Sequence, residues 1–227
     1  GRWYKNNRPA FSWLPPTALT GLAGYWYELG GEGTPLGEGR GIWTQKPESS
    51  FPPQKDGVYL FRVVAQDRAG NISREEGRFT IRLDTTAPET PRITWSSHPD
   101  PESWSKSVDL KMRLESEDHS SGLAGFYCLV DQKEETKPGE AEGLFVDPGD
   151  ITIPSLPEGE NWIHVTAVDH AGNFSEALHR RVRVALSPPA PRRLQSLSHP
   201  DPERVENLQL FLKRIRRAKL YLYIFRS

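Results

Sequence analysis

Two His-Pro-Asp-Pro stretches are the first places in this sequence where chemistry could sit. His98 and Asp100 stand two positions apart, and His199 and Asp201 repeat the pattern. A histidine beside a carboxylate can share a proton or contribute to a metal centre. A metal centre needs three or four converging ligands, and each stretch supplies two. The prolines instead predict an extended segment whose His and Asp bond nearby backbone, with the following Trp against a proline. Asp67, Asp84 and Asp169 are the second group. Spaced carboxylates at unit junctions could bind Ca²⁺, which takes six to eight oxygens. Ala185 stands where a second Asp84 would be, and this breaks the pattern. The third group is aromatic: Tyr25, Trp26, Tyr27, Trp43 and Trp162 exceed what two small cores need. They could form a flat binding surface for a sugar ring or a partner protein. The alternative is packing beneath a long loop or between units.

Basic clusters occur at Arg192-Arg193 and at Lys213-Arg214-Ile215-Arg216-Arg217. Glu203 and Glu206 lie close by, and 29 Lys+Arg balance 30 Asp+Glu for a net charge of −1. That balance argues against nucleic acid as a partner and for a solvated turn. No Gly-rich phosphate loop, Gly-x-Ser-x-Gly or His-Glu-x-x-His occurs. Cys128 is the only cysteine, so neither an intrachain disulfide nor a Cys-based zinc site can form. No apolar run reaches the ~20 residues of a membrane helix, so no membrane insertion is expected in this segment. The residues predict no catalytic group, no cofactor, no metal ligand set and no enzyme.

The elements that must position these residues come as a repeat. Asp67-Arg68-Ala69-Gly70-Asn71 recurs as Asp169-His170-Ala171-Gly172-Asn173, and 169 − 67 = 102. Gly21-Leu22-Ala23-Gly24 recurs as Gly122-Leu123-Ala124-Gly125, and Ser97-His98-Pro99-Asp100-Pro101 as Ser198-His199-Pro200-Asp201-Pro202, both 101 positions on. Each Asp-to-Asn stretch lies between alternating apolar runs, which reads as strand, tight turn, strand. Asp67, Gly70, Asn71, Asp169, Gly172 and Asn173 are therefore structural turn residues. Gly and Asn tolerate φ > 0, and the Asp can accept backbone N–H groups across the turn.

Val108, Leu110, Met112 and Leu114 alternate with polar residues, as a half-buried strand does. Phe11 and Trp13 take the places of Met112 and Leu114. The stretches after Gly24 and Gly125, the runs Phe61-Val63-Ala65 and Ile163-Val165-Ala167, and the runs ending in Leu83 and Val184 give further strands. Variable loops are expected over roughly residues 30–53 and 132–148. About seven short strands per hundred residues, with 20 prolines and 19 glycines overall, predict an all-β fold of tandem antiparallel sandwiches. The expected units are residues 1–90 (its start missing), a complete unit at 91–189, and a truncated third unit at 190–227. Residues 208–224 fit strands or a helix face. The chain reads as a window cut from a longer array.

Val63-Val64-Ala65-Gln66-Asp67-Arg68-Ala69-Gly70-Asn71, followed by a strand and Asp84-Thr85-Thr86-Ala87-Pro88, resembles the end of a bacterial immunoglobulin-like or fibronectin-type-III-like repeat. Ser97-His98-Pro99-Asp100-Pro101 with Trp104, and Trp3-Tyr4-Lys5-Asn6-Asn7, resemble its opening. The resemblance implies a tandem module of a large bacterial protein in the periplasm or at the cell surface. It implies a spacer, adhesive stalk or assembly scaffold whose partners are other protein chains or neighbouring repeats. The alternatives are a carbohydrate-binding accessory module of a secreted enzyme, with glycans as ligands, or a subunit of a large envelope assembly. The prolines at residues 86–91 and 187–191 are expected to limit bending at the joints.

Overall fold

The computed structural model describes residues 1–30, 35–37 and 39–186, and Gly1–Leu186 forms one compact unit. Every regular element among the described residues is a strand. The first half carries β1 (Trp3–Tyr4), β2 (Ala10–Ser12), β3 (Leu22–Gly30), β4 (Ile42–Thr44), β5 (Glu48–Ser50), β6 (Gly57–Asp67) and β7 (Gly77–Leu83). The second carries β8 (Arg92–Ser96), β9 (Trp104–Ser105), β10 (Leu110–Glu115), β11 (Leu123–Asp131), β12 (Leu144–Val146), β13 (Gly149–Ile153), β14 (Gly159–Asp169) and β15 (Leu178–Val184). The third unit expected at 190–227, with His199, Asp201 and the basic clusters, lies outside the described residues.

Strands recur with the spacing of the sequence motifs. β3 and β11 start at Leu22 and Leu123 (123 − 22 = 101), β6 and β14 at Gly57 and Gly159 (159 − 57 = 102). The sheet orders are β1-β7-β6-β3-β4 and β2-β5 in the first half, β9-β15-β14-β11-β12 and β8-β10-β13 in the second. Neighbours are antiparallel except β1 on β7 and β9 on β15, which run parallel. In the second half β8, β10 and β13 form one sheet, with β11, β14 and β15 in the other. That division of strands is the one found in immunoglobulin-like and fibronectin-III-like sandwiches.

Alternation decides what faces inward. In β10, Leu110, Met112 and Leu114 are buried while Lys111, Arg113 and Glu115 are exposed. They meet Phe126, Cys128, Ile163, Val165, Ala167, Val182 and Val184 from the facing sheet in one sealed core. The first-half core is smaller and aromatic. Tyr25, Tyr27, Phe61 and Val63 form it, with Phe11, Trp13 and Phe51 at its margin.

The variable loops hold more order than their composition predicts. β4 and β5 fall within residues 30–53, and β12 within 132–148. These three-residue strands are too short for a period-2 signal. β4 is anchored by Trp43, whose ring lies where a side chain at Gly24 would be: a Cβ there would sit 2.5 Å from Trp43 Cζ2. Phe145 of β12 lies over Gly125 in the same way, 2.5 Å from the Cβ position. The Gly-Leu-Ala-Gly motif therefore does two jobs. Its first glycine takes φ of 81° or 85°, and its second seats an aromatic ring.

Candidate functional site

The best-built polar site lies where the halves meet, and it begins with the Asp-to-Asn turns. In each turn the first Asp accepts two backbone N–H groups on one oxygen. Asp67 Oδ1 accepts Ala69 N–H at 2.9 Å and Asn71 N–H at 2.8 Å; Asp169 Oδ1 accepts Ala171 N–H at 2.8 Å and Asn173 N–H at 2.9 Å. The Asn side chain closes the turn on the other oxygen, at 2.9 Å in the first copy and 2.7 Å in the second. Gly70 and Gly172 take φ of 88° and 87°. Only the glycine needs the left-handed region, since neither Asn71 nor Asn173 has positive φ.

The second turn also grips the connection between the halves. Asn173 Nδ2 donates to the carbonyl of Asp84 at 2.9 Å and to that of Thr86 at 3.3 Å. The Asp84 carboxylate, fully buried, accepts Thr86 N–H at 3.0 Å and Ser121 N–H at 2.9 Å. Ser116 Oγ donates to the Glu89 carbonyl at 2.6 Å, and Glu89 N–H to that of Glu117 at 2.9 Å. From the first half, Asp56 accepts Thr85 N–H at 2.8 Å and Thr86 Oγ1–H at 2.5 Å. Burial pushes the Asp56 carboxyl up, but these hydrogen bonds outweigh it and hold it below the usual carboxylate range. The connection is thus bonded from both sides.

Asp84, Asp118 and Asp169 each bring one carboxylate oxygen within 4.8 Å of the others. Of the three acids considered for Ca²⁺, Asp84 and Asp169 meet here and Asp67 does not. Its place is taken by Asp118, whose Oδ1 accepts Gly122 N–H at 2.6 Å and Ser120 N–H at 3.2 Å. Three carboxylates so close are a partial shell for a divalent cation, short of the six to eight oxygens Ca²⁺ takes. Each is already satisfied in part by backbone amides. Asp118 escaped notice in the sequence because Thr17 occupies its counterpart position 101 residues earlier, so no repetition marks it.

The aromatic residues separate into two groups. Tyr25 and Tyr27 belong to the first-half core, so they contribute no surface to a platform. β3 carries both them and Trp26, and alternation sends Trp26 to the outer face. There Trp26 meets Trp43, ring centroids 5.0 Å apart, and donates Nε1–H to Gln66 at 2.8 Å. Trp43 is 39% exposed. Trp162 lies on β14 in the other half, half-buried beside Arg181.

His98 and Asp100 serve local structure. His98 is buried; its Nε2 lies 3.2 Å from the Ser107 carbonyl and its Nδ1 2.9 Å from Ser97 Oγ. A carbonyl only accepts, so Nε2 is assigned the proton. Asp100 accepts Glu102 N–H and Ser103 Oγ–H. Trp104 is 55% exposed, with the Arg183 guanidinium 5.6 Å from its ring centroid.

A second polar cluster lies under the loop after β11. His164 is fully buried, with Nε2 3.0 Å from Asp131 and Nδ1 2.7 Å from His179 Nδ1. Burial raises the Asp131 carboxyl, but bonds from Thr136, Lys133 N–H and His164 prevail and bring it down to about 2. The first half has Arg62 at this position, 3% exposed and paired with Glu28 at 2.7 Å and Glu76 at 2.6 Å.

No protein-family model matches the chain, and no curated protein does. Solved structures are similar at low identity. The fibronectin(III)-like modules of Clostridium thermocellum CbhA are 17% identical, covering 88% of this chain and 95% of that one, with a TM-score of 0.47. The D00-D0 domain of Intimin is 12% identical over 78% of this chain and 94% of its own, TM-score 0.33. The central fibronectin-III array of RIM-binding protein is 16% identical over 87% and 71%, TM-score 0.27. By its own strand order, this chain has an immunoglobulin-like or fibronectin-III-like sandwich fold.

Proposed function

We propose that the chain is a non-enzymatic spacer in a larger exported bacterial protein, extracytoplasmic in the periplasm or at the cell surface. On this reading residues 1–90, 91–189 and 190–227 are successive units of one repeat, and function lies in holding them at a fixed distance and angle. The observation that carries the reading is the joint. Asp84 and Asn173 tie the connection to the second half through Ser121 N–H and the carbonyls of Asp84 and Thr86. Asp56 ties it to the first. A tether selected only for reach would need none of these bonds. Prolines stiffen the joint by fixing φ, and the hydrogen bonds fix its direction.

Solution X-ray scattering tests this. The wild-type fragment 1–186 should give one extended pair-distance distribution, and Asn173→Ala should broaden it while both sandwiches stay folded. Identical distributions would remove the joint as the working part.

Other protein chains or neighbouring units are the partners this reading implies. The carbohydrate-binding alternative rests on the Trp26–Trp43 pair. Binding to a glycan array that disappears in Trp43→Ala would favour it.

A further inference from the structure

The two sandwiches differ at one matching pair of positions on the outer face of the larger sheet. In the first half Arg62 of β6 stands opposite Arg78 of β7, and in the second His164 of β14 stands opposite His179 of β15. The repeat makes these the same two places, since 164 − 62 = 102 and 179 − 78 = 101. The arginines are permanent charges, and two carboxylates answer them. Glu76 lies 2.6 Å from each, and Glu28 lies 2.7 Å from Arg62. The histidines can each take a proton or release it. Leu129 stands where Glu28 does and Ala177 where Glu76 does. Among the described residues, Asp131 is the one carboxylate bonded to the pair.

The contact between the rings holds one proton. His164 Nδ1 lies 2.7 Å from His179 Nδ1, and His164 Nε2 lies 3.0 Å from Asp131 Oδ1. A carboxylate only accepts, so His164 Nε2 is assigned a proton, and a single N–H fits between the two Nδ1 atoms. That arrangement stands when the pair is neutral or carries one positive charge, which Asp131 balances. A second charge puts N–H on both Nδ1 atoms and breaks the contact. If only the half-buried His179 then turned outward, His164 would keep a buried Nδ1–H without its partner.

The loop at residues 132–143 is fastened over this cluster. At its start, Asp131 accepts Lys133 N–H at 2.8 Å and Thr136 Oγ1–H at 2.7 Å. Further on, Lys137 pairs with Glu176, just ahead of β15, at 3.7 Å. In the sheet order β14 lies between β11 and β15, so the loop crosses β14, and His164 beneath it is fully buried. The titratable and charged groups around His164 are Tyr127 and Asp131 of β11, Lys137 with Glu176, and His179 and Arg181 of β15. Arg181 is paired with Glu102. Lys133, Glu134 and Glu135 of the loop are exposed. We propose that the His164–His179 pair is a proton latch: the loop lies closed while the pair holds at most one proton and lifts when it takes a second. Lifting uncovers the outer face of β14 and leaves Ile163 and Val165 in the core on the other face.

The direction follows from the proton count. The closed loop admits one proton on the pair and the open loop two. Below about pH 6.5, where free imidazole is protonated, acid therefore favours the open loop, by a factor approaching tenfold per pH unit. Asp131 keeps its charge through this range, since it is brought down to about 2.

Hydrogen exchange read by mass spectrometry on the full 227-residue chain tests the latch. The amides of Lys133, Glu142 and Gly143 are bonded within the closed loop. After correction for the intrinsic pH dependence of exchange, their opening should rise from pH 6 to pH 4.5 by a factor approaching tenfold per unit, while β14 stays protected. His179→Gln leaves one titratable ring, whose single charge Asp131 balances, and should abolish the rise. Nitrogen-15 spectra of the wild-type imidazoles give a second readout should that variant fail to fold: full protonation of both rings should coincide with the loss of loop protection. Protection as high at pH 4.5 as at pH 7 would overturn the proposal. So would His179→Gln opening as steeply with acid as wild type, or two fully protonated rings beneath a loop that is still closed.

Discussion

The two halves follow one strand plan and close their cores by different means. In the second, three strands cover a facing sheet, and Leu110, Met112, Leu114, Ile163 and Val165 are at most 1% exposed. Among the described residues of the first, β2 and β5 face the larger sheet, and large rings fill the core. Phe11 stacks on Phe61 at 4.0 Å, and Trp13 stands edge-on to Tyr25 at 5.1 Å. The rings line an apolar crevice of about 580 Å³ between Phe11, Trp13, Phe61, Phe79 and Ile81. Strand plan and core composition are thus separable, and the plan survives a near-complete exchange of core residues.

The largest expected effect separates the cores. Met112→Ala removes a fully buried side chain from a closed core and should cost about 2–5 kcal/mol in urea unfolding. Phe11→Ala, at the matching position, should cost less despite deleting more atoms, because its ring already faces the crevice. Equal losses would mean that the first core is closed in solution.

The two Asp-to-Asn turns offer a finer comparison. They share the same internal bonds, but Asp169 is 2% exposed and lies in the joint. Asp169→Ala should lower stability by about 1–3 kcal/mol, since it leaves the partly buried Ala171 and Asn173 amides without that acceptor. Asp67→Ala, on a solvated turn, should lower it less. Equal effects in thermal melts would show that the turn alone matters and the joint adds nothing.

Acid should weaken both polar clusters. The Arg62 hydrogen bond, against the opposing effect of burial, holds the Glu76 carboxyl below its usual range, and Asp131 is brought down to about 2. A carboxyl depressed in the folded state contributes stability that is complete above its unfolded value, near 4, and is lost as pH falls toward the folded value. Stability should therefore decline from about pH 4 toward pH 2. Asp131→Asn and Glu76→Gln should each lower stability above about pH 4 and flatten that decline, Glu76→Gln by leaving the buried Arg62 with one carboxylate fewer. An acid decline as steep in either variant as in wild type would contradict the role given to that carboxyl.

Much of the fold was legible in the sequence because strands and tight turns write their constraints locally. Leu110-Met112-Leu114 alternate, and Gly70 and Gly172 occupy the left-handed positions. The joint was only half legible. Asp84 and Asp169 stood out by type, whereas Asp118 and Asp56 act through bonds that form only when distant segments meet. β4, β5 and β12 were hidden in loop-like composition, since three residues carry no period. Tyr25 and Tyr27 were read with Trp26 as one surface, although alternation along β3 sends them to opposite faces.

The fixed joint is tested most directly by the distance between one label on each half. Val58 and Leu144 are exposed, 59% and 61%, and suit replacement by cysteine for spin labelling. Native Cys128 will not compete: it is buried, and burial pushes its thiol up to about 12. Pulsed electron paramagnetic resonance on Val58→Cys/Leu144→Cys should give one narrow distance distribution, which Asp84→Ala broadens. A wild-type distribution already as broad as that of Asp84→Ala would contradict the account.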